Sequence, residues 1–391
     1  MQFAKRMDDF QPGIFSVLAR MGDERRARGL PLTDLSVGAP NIPPARHIVD
    51  ALVQSAQDKE NYVYAIGDTK RLQQAVARWY QRRYGVRLDP GAEVTSLLGS
   101  QDGLAHIAFT VADAGDTVLV PDPCYPIFRD GPSLAGALLH PMPQKKENGY
   151  LIDVRDIPEP VARRARLMIV SYPNNPTASV APDSLYRDVI AFAKQYQIVV
   201  VHDNSYSELT FDGRTCGSFL RFPGAKEVGV EFNSLSKTYG LAGARIGFAV
   251  GNPDVIGMLK ALKSNIDYGM FLPLQDAAIA AMTGPQDCVE ATRAEYQARR
   301  DCLTDGLEAI GWPVQKSPAT MFVWARLPRG YADSIGFMRE LLEKAGVLVT
   351  PGTAFGAQGE GHVRIALVAD REELQAAVRR IAQSNILNKR G

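Results

Sequence analysis

From about residue 46 onward, apolar residues recur at two alternating spacings. "ARHIVDALVQSAQ", "TKRLQQAVARWYQRRYG", "GLAHIAFTVAD" and "DSLYRDVIAFAKQYQ" carry them at helical spacing. Between and after these lie "EVTSLLGS", "DTVLVPDPCYP", "ARLMIVSYPNNPT", "IVVVHDNSYSEL", "VGVEFNSLSK" and "ARIGFAVG", which read as strands. Their Val/Ile runs do not alternate with polar residues, which predicts strands covered on both faces, as in a mainly parallel sheet. Alternating β and α over this length predicts an α/β, doubly wound domain over 46–284. Beyond it the pattern changes. "PQDCVEATRAEYQARRDCLTDGLEAIG" is a long helix with no strand partner. "TMFVWARLP", "VLVTPGTAFG" and "HVRIALV" then read as strands, and "DREELQAAVRRIAQ" closes as a helix. This predicts a smaller α+β domain over 285–391, which the Pro- and Gly-punctuated segment 1–45 is expected to join.

Composition narrows the class. Apolar residues make up 46% of the 391 and charged residues 22%, as in ordinary soluble globular proteins. Lys plus Arg is 44 and Asp plus Glu is 43, so there is no electrostatic case for nucleic acid or an acidic membrane. "MQFAKRMDDFQPG" lacks the apolar stretch of a secretory signal. The four cysteines form no CxxC pair, so no structural zinc or other metal site is expected, and the chain is expected in a reducing cytoplasm.

In an open α/β sheet, ligands bind beyond the carboxyl ends of the strands. Five polar clusters fall at such places: "GSQDG" (99–103), "CYP" (124–126), "YPNNPT" (172–177), "HDNSY" (202–206) and "SLSK" (234–237). Each alone has an ordinary reading as a turn or cap. Asp203 resists it, because a carboxylate after four consecutive apolar positions is expected to be buried, and a buried charge needs a partner. Lys237 resists it too. Ser234, Ser236 and Arg245 surround it with donors suited to a phosphate. No GxxxxGK precedes Lys237, and "GLAGARIG" does not fit GxGxxG, so the spacing excludes the usual nucleotide loops.

Pyridoxal phosphate draws on all five clusters. It needs a lysine for a Schiff base, a carboxylate at the pyridine nitrogen, donors to its ring hydroxyl, a ring to stack on and a phosphate cup. In turn, Lys237, Asp203, Asn175 with Tyr206, Tyr125, and Ser100, Gln101, Ser234, Ser236 and Arg245 can fill those roles.

The ordered set "YPNNPT", "HDNSY" and "SLSKTYGLAGARIGFAVGN" resembles the fold-type I, class I/II aminotransferases over essentially the whole chain. Within them it looks most like the LL-diaminopimelate and alanine (glutamate–pyruvate) subfamilies. The resemblance implies a mainly parallel seven-stranded sheet sandwiched by helices, with a smaller α+β domain. It implies that Lys237, Asp203 and Tyr206 are catalytic, Lys237 carrying the cofactor and shuttling a proton. Arg364 in "HVRIALV" matches the arginine that clamps the substrate α-carboxylate, and Gly38 and Asn175 match substrate-facing positions. Tyr64 matches a tyrosine that reaches the cofactor phosphate of a partner subunit, which implies a homodimer with shared sites. The implied reaction moves an amino group between an L-amino acid and a 2-oxo acid, with LL-diaminopimelate or alanine as donor and 2-oxoglutarate as acceptor.

Three departures bear on the substrate. Ala178 stands where "NPTG" is common, and Gly240 and Ala244 replace larger residues, which is expected to open space near Lys237 and Arg245. A lyase, decarboxylase, oxidase or specialised biosynthetic enzyme on the same scaffold could share the cofactor residues. A cofactor-binding regulator is disfavoured, because no winged-helix-like segment precedes the core.

Overall fold

The computed structural model describes residues 1–10 and 12–388. Among them are twelve strands: β1 (Thr33–Asp34), β2 (Val94–Leu97), β3 (Thr117–Asp122), β4 (Leu138–Pro143), β5 (Ala165–Ser171), β6 (Val199–Asp203), β7 (Gly229–Ser234), β8 (Gly247–Gly251), β9 (Phe322–Arg326), β10 (Val347–Leu348), β11 (Thr350–Pro351) and β12 (His362–Ala366). Seven form one sheet in the order β2-β8-β7-β6-β5-β3-β4. All neighbours pair in parallel except those of β8, which runs antiparallel to both β2 and β7. The unbroken apolar runs have the cause expected of them: every residue of β7 and β8 is buried.

Two apolar clusters line the two faces of this sheet. One gathers Met168, Val170 and Val200 with Trp79 and Tyr80; the other gathers Leu167, Ile169 and Val201 with Leu104 and Phe128. Adjacent residues of one strand thus feed different clusters, as the period of two requires. The helices α1 (Ile14–Ala27), α2 (Arg46–Gln57), α3 (Lys70–Tyr84) and α4 (Ser100–His106) precede β3. In α3, Leu72, Ala75, Val76, Trp79 and Tyr80 make the buried stripe. Thr69 caps its start by accepting from Leu72 N–H, and Gly85 ends it in the left-handed conformation.

A third cluster joins Tyr296, Leu303 and Leu307 of helix Asp287–Ala309 to β9, β12 and helices Ser334–Ala345 and Arg371–Gln383. Leu18 and Leu35 belong to it, and β1 pairs in parallel with β10, so the N-terminal segment is tied to these elements. Phe211 contributes to it as well. The sequence pattern did not reveal α1, β4 or the helices Pro253–Ser264, Leu272–Thr283 and Ser334–Ala345.

A buried polar network locks the centre of the large sheet. Glu231 on β7 sits opposite His202 on β6 and is fully buried. Its carboxylate meets His202 Nδ1 at 2.9 Å and accepts from Asn204 Nδ2 at 3.0 Å, the Ser218 hydroxyl at 3.0 Å and Phe219 N–H at 2.8 Å. Those partners compensate the desolvation that would otherwise make a buried carboxylate costly. They also hold the carboxyl ends of β6 and β7 side by side, where Asp203 and Ser234 emerge.

Candidate active site

The ends of β5, β6 and β7 and the start of α4 open on a cavity of about 190 Å³. Asn175, Asp203, Tyr206, Ser234, Ser236, Lys237 and Arg245 line it, as do Ser100, Gln101, Tyr125, Gly38 and Arg364. Twelve of the thirteen residues expected from sequence therefore converge. The thirteenth, Tyr64, lies on the surface, 83% exposed, with its ring edge-on to Tyr268. Ser205, Phe15, Val37, Leu104 and Phe322 also line the cavity and were not singled out from sequence. Ser205 stood inside the quoted "HDNSY" cluster. Phe15 had no signal, because its helix went unrecognised.

Asp203 ends β6 and is buried. Burial pushes its carboxyl above the ordinary range, while the Ser205 hydroxyl, His202 and Lys237 pull it back. Ser205 Oγ donates to Asp203 Oδ1 at 2.6 Å and lies 3.2 Å from Ser100 Oγ, so one hydroxyl joins β6 to α4. Lys237 follows β7 in a single turn, Leu235–Thr238, whose start is capped by Ser234 accepting from Ser236 N–H. Its ammonium lies 5.9 Å from the Tyr206 ring centre. Burial, with Arg245 and Arg364 nearby, lowers Lys237 to about 8, against the opposing pull of Asp203.

Arg245 adopts φ +55° and its Nη1 donates to Ala242 O at 3.1 Å. Its guanidinium packs on Gly99, itself at φ +80°; a Cβ at Gly99 would collide with it. Only glycine gives both the conformation and the clearance there. Arg364, on β12, is 1% exposed. It donates to Asn175 Oδ1 at 3.0 Å and to Ser36 O at 2.8 Å, while its buried Nε has no partner. Burial lowers it to about 10. A guanidinium so enclosed, with an N–H unpaired, suits a planar anion.

One expectation about the departures needs correction. Gly240 does not open space: it takes φ +69°, and a Cβ there would strike Ile42 O and lie 3.0 Å from Pro43 C and Pro44 N. The missing side chain is replaced by the backbone of 42–44. Ala178 takes φ +59° and is fully buried, so it holds the left-handed conformation for which glycine is the easier occupant. Ala244 is half-buried and packs against the main core.

The family described as aminotransferase class I and II matches residues 31–381. The chain belongs to that family. Among curated relatives, the LL-diaminopimelate aminotransferase of Moorella thermoacetica is 47% identical over 382 residues, covering 97% of this chain and 98% of the relative. Among solved structures, substrate-bound BacF from Bacillus subtilis superposes with a TM-score of 0.96 at 36% identity, covering 98% of both chains. A mutant aspartate aminotransferase of Thermus thermophilus gives 0.91 at 26% identity, covering 98% of this chain and all of that one. This aminotransferase thus has the fold-type I architecture and performs amino-group transfer, in a family that generally depends on pyridoxal phosphate. Among the described residues, no helix is long and apolar enough to cross a membrane.

Proposed function

We propose that the cavity holds pyridoxal phosphate on Lys237 and that the chain transaminates an L-amino acid with a 2-oxo acid. LL-diaminopimelate is the first donor to test, because the Moorella relative bears that name; alanine is the second, and 2-oxoglutarate the acceptor. One observation carries the reading: a buried carboxylate, a half-buried lysine and two arginines line a single cavity. That donor set fits the group. Asp203 suits a protonated pyridine nitrogen, Asn175 and Tyr206 suit the ring hydroxyl, and Tyr125 offers a ring to stack on. Arg245 with Ser100, Gln101, Ser234 and Ser236 suits a phosphate.

When bound, pyridoxal phosphate supplies an electron sink for the bond broken at the substrate α-carbon. The chain supplies the rest. Arg364 would orient the α-carboxylate, and Asn175, which accepts from Arg364 Nη1, would tie that arginine to the residues that hold the cofactor. Lys237 Nζ takes the α-proton as a neutral amine, a form its lowered affinity for protons favours. Gly38 keeps the approach to Arg364 narrow, since a Cβ there would lie 2.5 Å from the Phe322 ring.

The proposal also covers the location, the domains and the assembly of the enzyme. The enzyme works in the cytoplasm. Its two domains span 46–284 and 285–391, with 1–45 joining the smaller. It is a homodimer in which Tyr64 serves the partner's phosphate site. Exposed Tyr62, Val63, Tyr64, Ile66 and Tyr268 support the last, as a second copy would cover them.

Purified wild type should take up pyridoxal phosphate and show the absorbance band of a lysine-linked cofactor, and Lys237→Ala should lack it. A colourless wild type that takes up none would overturn the reading.

A further inference from the structure

Two aromatic residues of the cavity, Phe15 and Phe322, have no part in holding the cofactor. Phe15, in the first turn of α1, has its ring 5.2 Å from Arg364 Cζ and stacked on Tyr125 at 6.2 Å and 29°. The Phe322 ring lies 4.1 Å from the same carbon. Among the described residues, the charged groups lining the cavity are Asp203, Lys237, Arg245 and Arg364. The proposed function already engages all four: pyridine nitrogen, Schiff base, phosphate and α-carboxylate. None of this chain's charged groups is left for a carboxylate at the substrate γ-position.

A substrate held by Arg364 must put its next carbons among the groups around that arginine. The γ-carbon is only three bonds from the carboxylate carbon, so it falls in the ring-lined space. A methylene there sheds water against the rings and gains. A carboxylate there loses water and finds no uncommitted charged group of this chain to pair with.

We propose that Phe15 is a specificity-determining residue. With Tyr125 and Phe322 it forms an apolar wall for the substrate β- and γ-carbons. The enzyme accepts amino acids that are apolar at both carbons and rejects one that carries a carboxylate at the γ-position, as aspartate does. The proposal rests on the Arg364 reading above. It is compatible with LL-diaminopimelate, whose β- and γ-carbons are methylenes and whose distal head lies past the wall.

The test uses cofactor-loaded enzyme and two acids that lack an amino group, pentanoate and succinate, titrated by calorimetry. Pentanoate is apolar at the γ-equivalent carbon, where succinate carries its second carboxylate. Pentanoate should bind at least about tenfold tighter, the effect of roughly two methylenes. Phe15→Ala should weaken pentanoate by about tenfold and leave succinate within about twofold, and Phe15→Leu should recover most of the loss. In turnover, Phe15→Ala should raise KM for norleucine while kcat holds. Tighter succinate binding by wild type, equal loss of both acids in Phe15→Ala, or no binding of either acid would overturn the wall. Both variants should keep the absorbance band of the lysine-linked cofactor. An enzyme without that band in wild type fails the earlier reading instead.

Discussion

At Lys237, the same burial that suits chemistry works against folding. Its ammonium is disfavoured in the folded protein, where it loses its proton near 8 rather than at its ordinary 10.5. For a lysine with a lowered folded value, the penalty is fully present below about 8 and fades as pH rises toward 10.5. Cofactor-free Lys237→Met should therefore be more stable than cofactor-free wild type at pH 7, by up to roughly 3 kcal/mol. That gap should shrink between pH 8 and 10.5 in denaturant titrations. A wild type equal to or more stable than the variant at pH 7 would contradict this account of the lysine. Arg364 makes the opposite case, because it is buried for an anion to come. Arg364→Lys keeps the charge and loses the planar fork, so kcat/KM should fall about 10²- to 10³-fold, with the amino-acid KM rising. Lys237 was legible in the sequence because a charge following a strand-like run stands out, whereas Arg364 was legible only through the family resemblance. Phe15 was not legible, because no pattern in its segment set it apart.

At the level of elements, the strands of the large sheet were legible because burial on both faces leaves unbroken Val/Ile runs. The end of β8 was less so: "ARIGFAVG" reads as one strand, yet Ala244 and Arg245 lie in the turn before it. α1 was hidden by its composition. It buries only Leu18, Gly22 and Arg25, so no apolar stripe announces it. Glycines were misread for a related reason, since a sequence shows a missing side chain but not what fills its place. Gly240→Ala forces a left-handed alanine against Ile42 O and should cost about 1–3 kcal/mol. Gly257 offers the contrast. It lies inside helix Pro253–Ser264 with nothing within 4 Å of a Cβ, so Gly257→Ala should stabilise by about 1 kcal/mol. Urea midpoints of the two variants check both signs. A neutral Gly240→Ala would show that the 42–44 backbone is not held against it.

For the whole molecule, the order of motifs carried more than any one of them. "NNPT", "HDNSY" and "SLSK" lie far apart in sequence, and the parallel neighbours β5, β6 and β7 bring their ends to one cavity. The proposed second subunit rests on the family resemblance at Tyr64, which is exposed and does not line its own chain's cavity. Sedimentation should give a dimer, and Tyr64→Phe should weaken cofactor binding about tenfold, the loss of one charge-assisted hydrogen bond. A monomer with full cofactor affinity would contradict shared sites. The most direct test of the central claim is a single half-reaction. Loaded enzyme is mixed with LL-diaminopimelate, alanine, glutamate or norleucine in the absence of any acceptor. The account predicts full conversion of the bound cofactor to its amine form, one equivalent of 2-oxo acid, and neither ammonia nor carbon dioxide. Stoichiometric release of either would contradict transamination and assign the site to elimination, oxidation or decarboxylation.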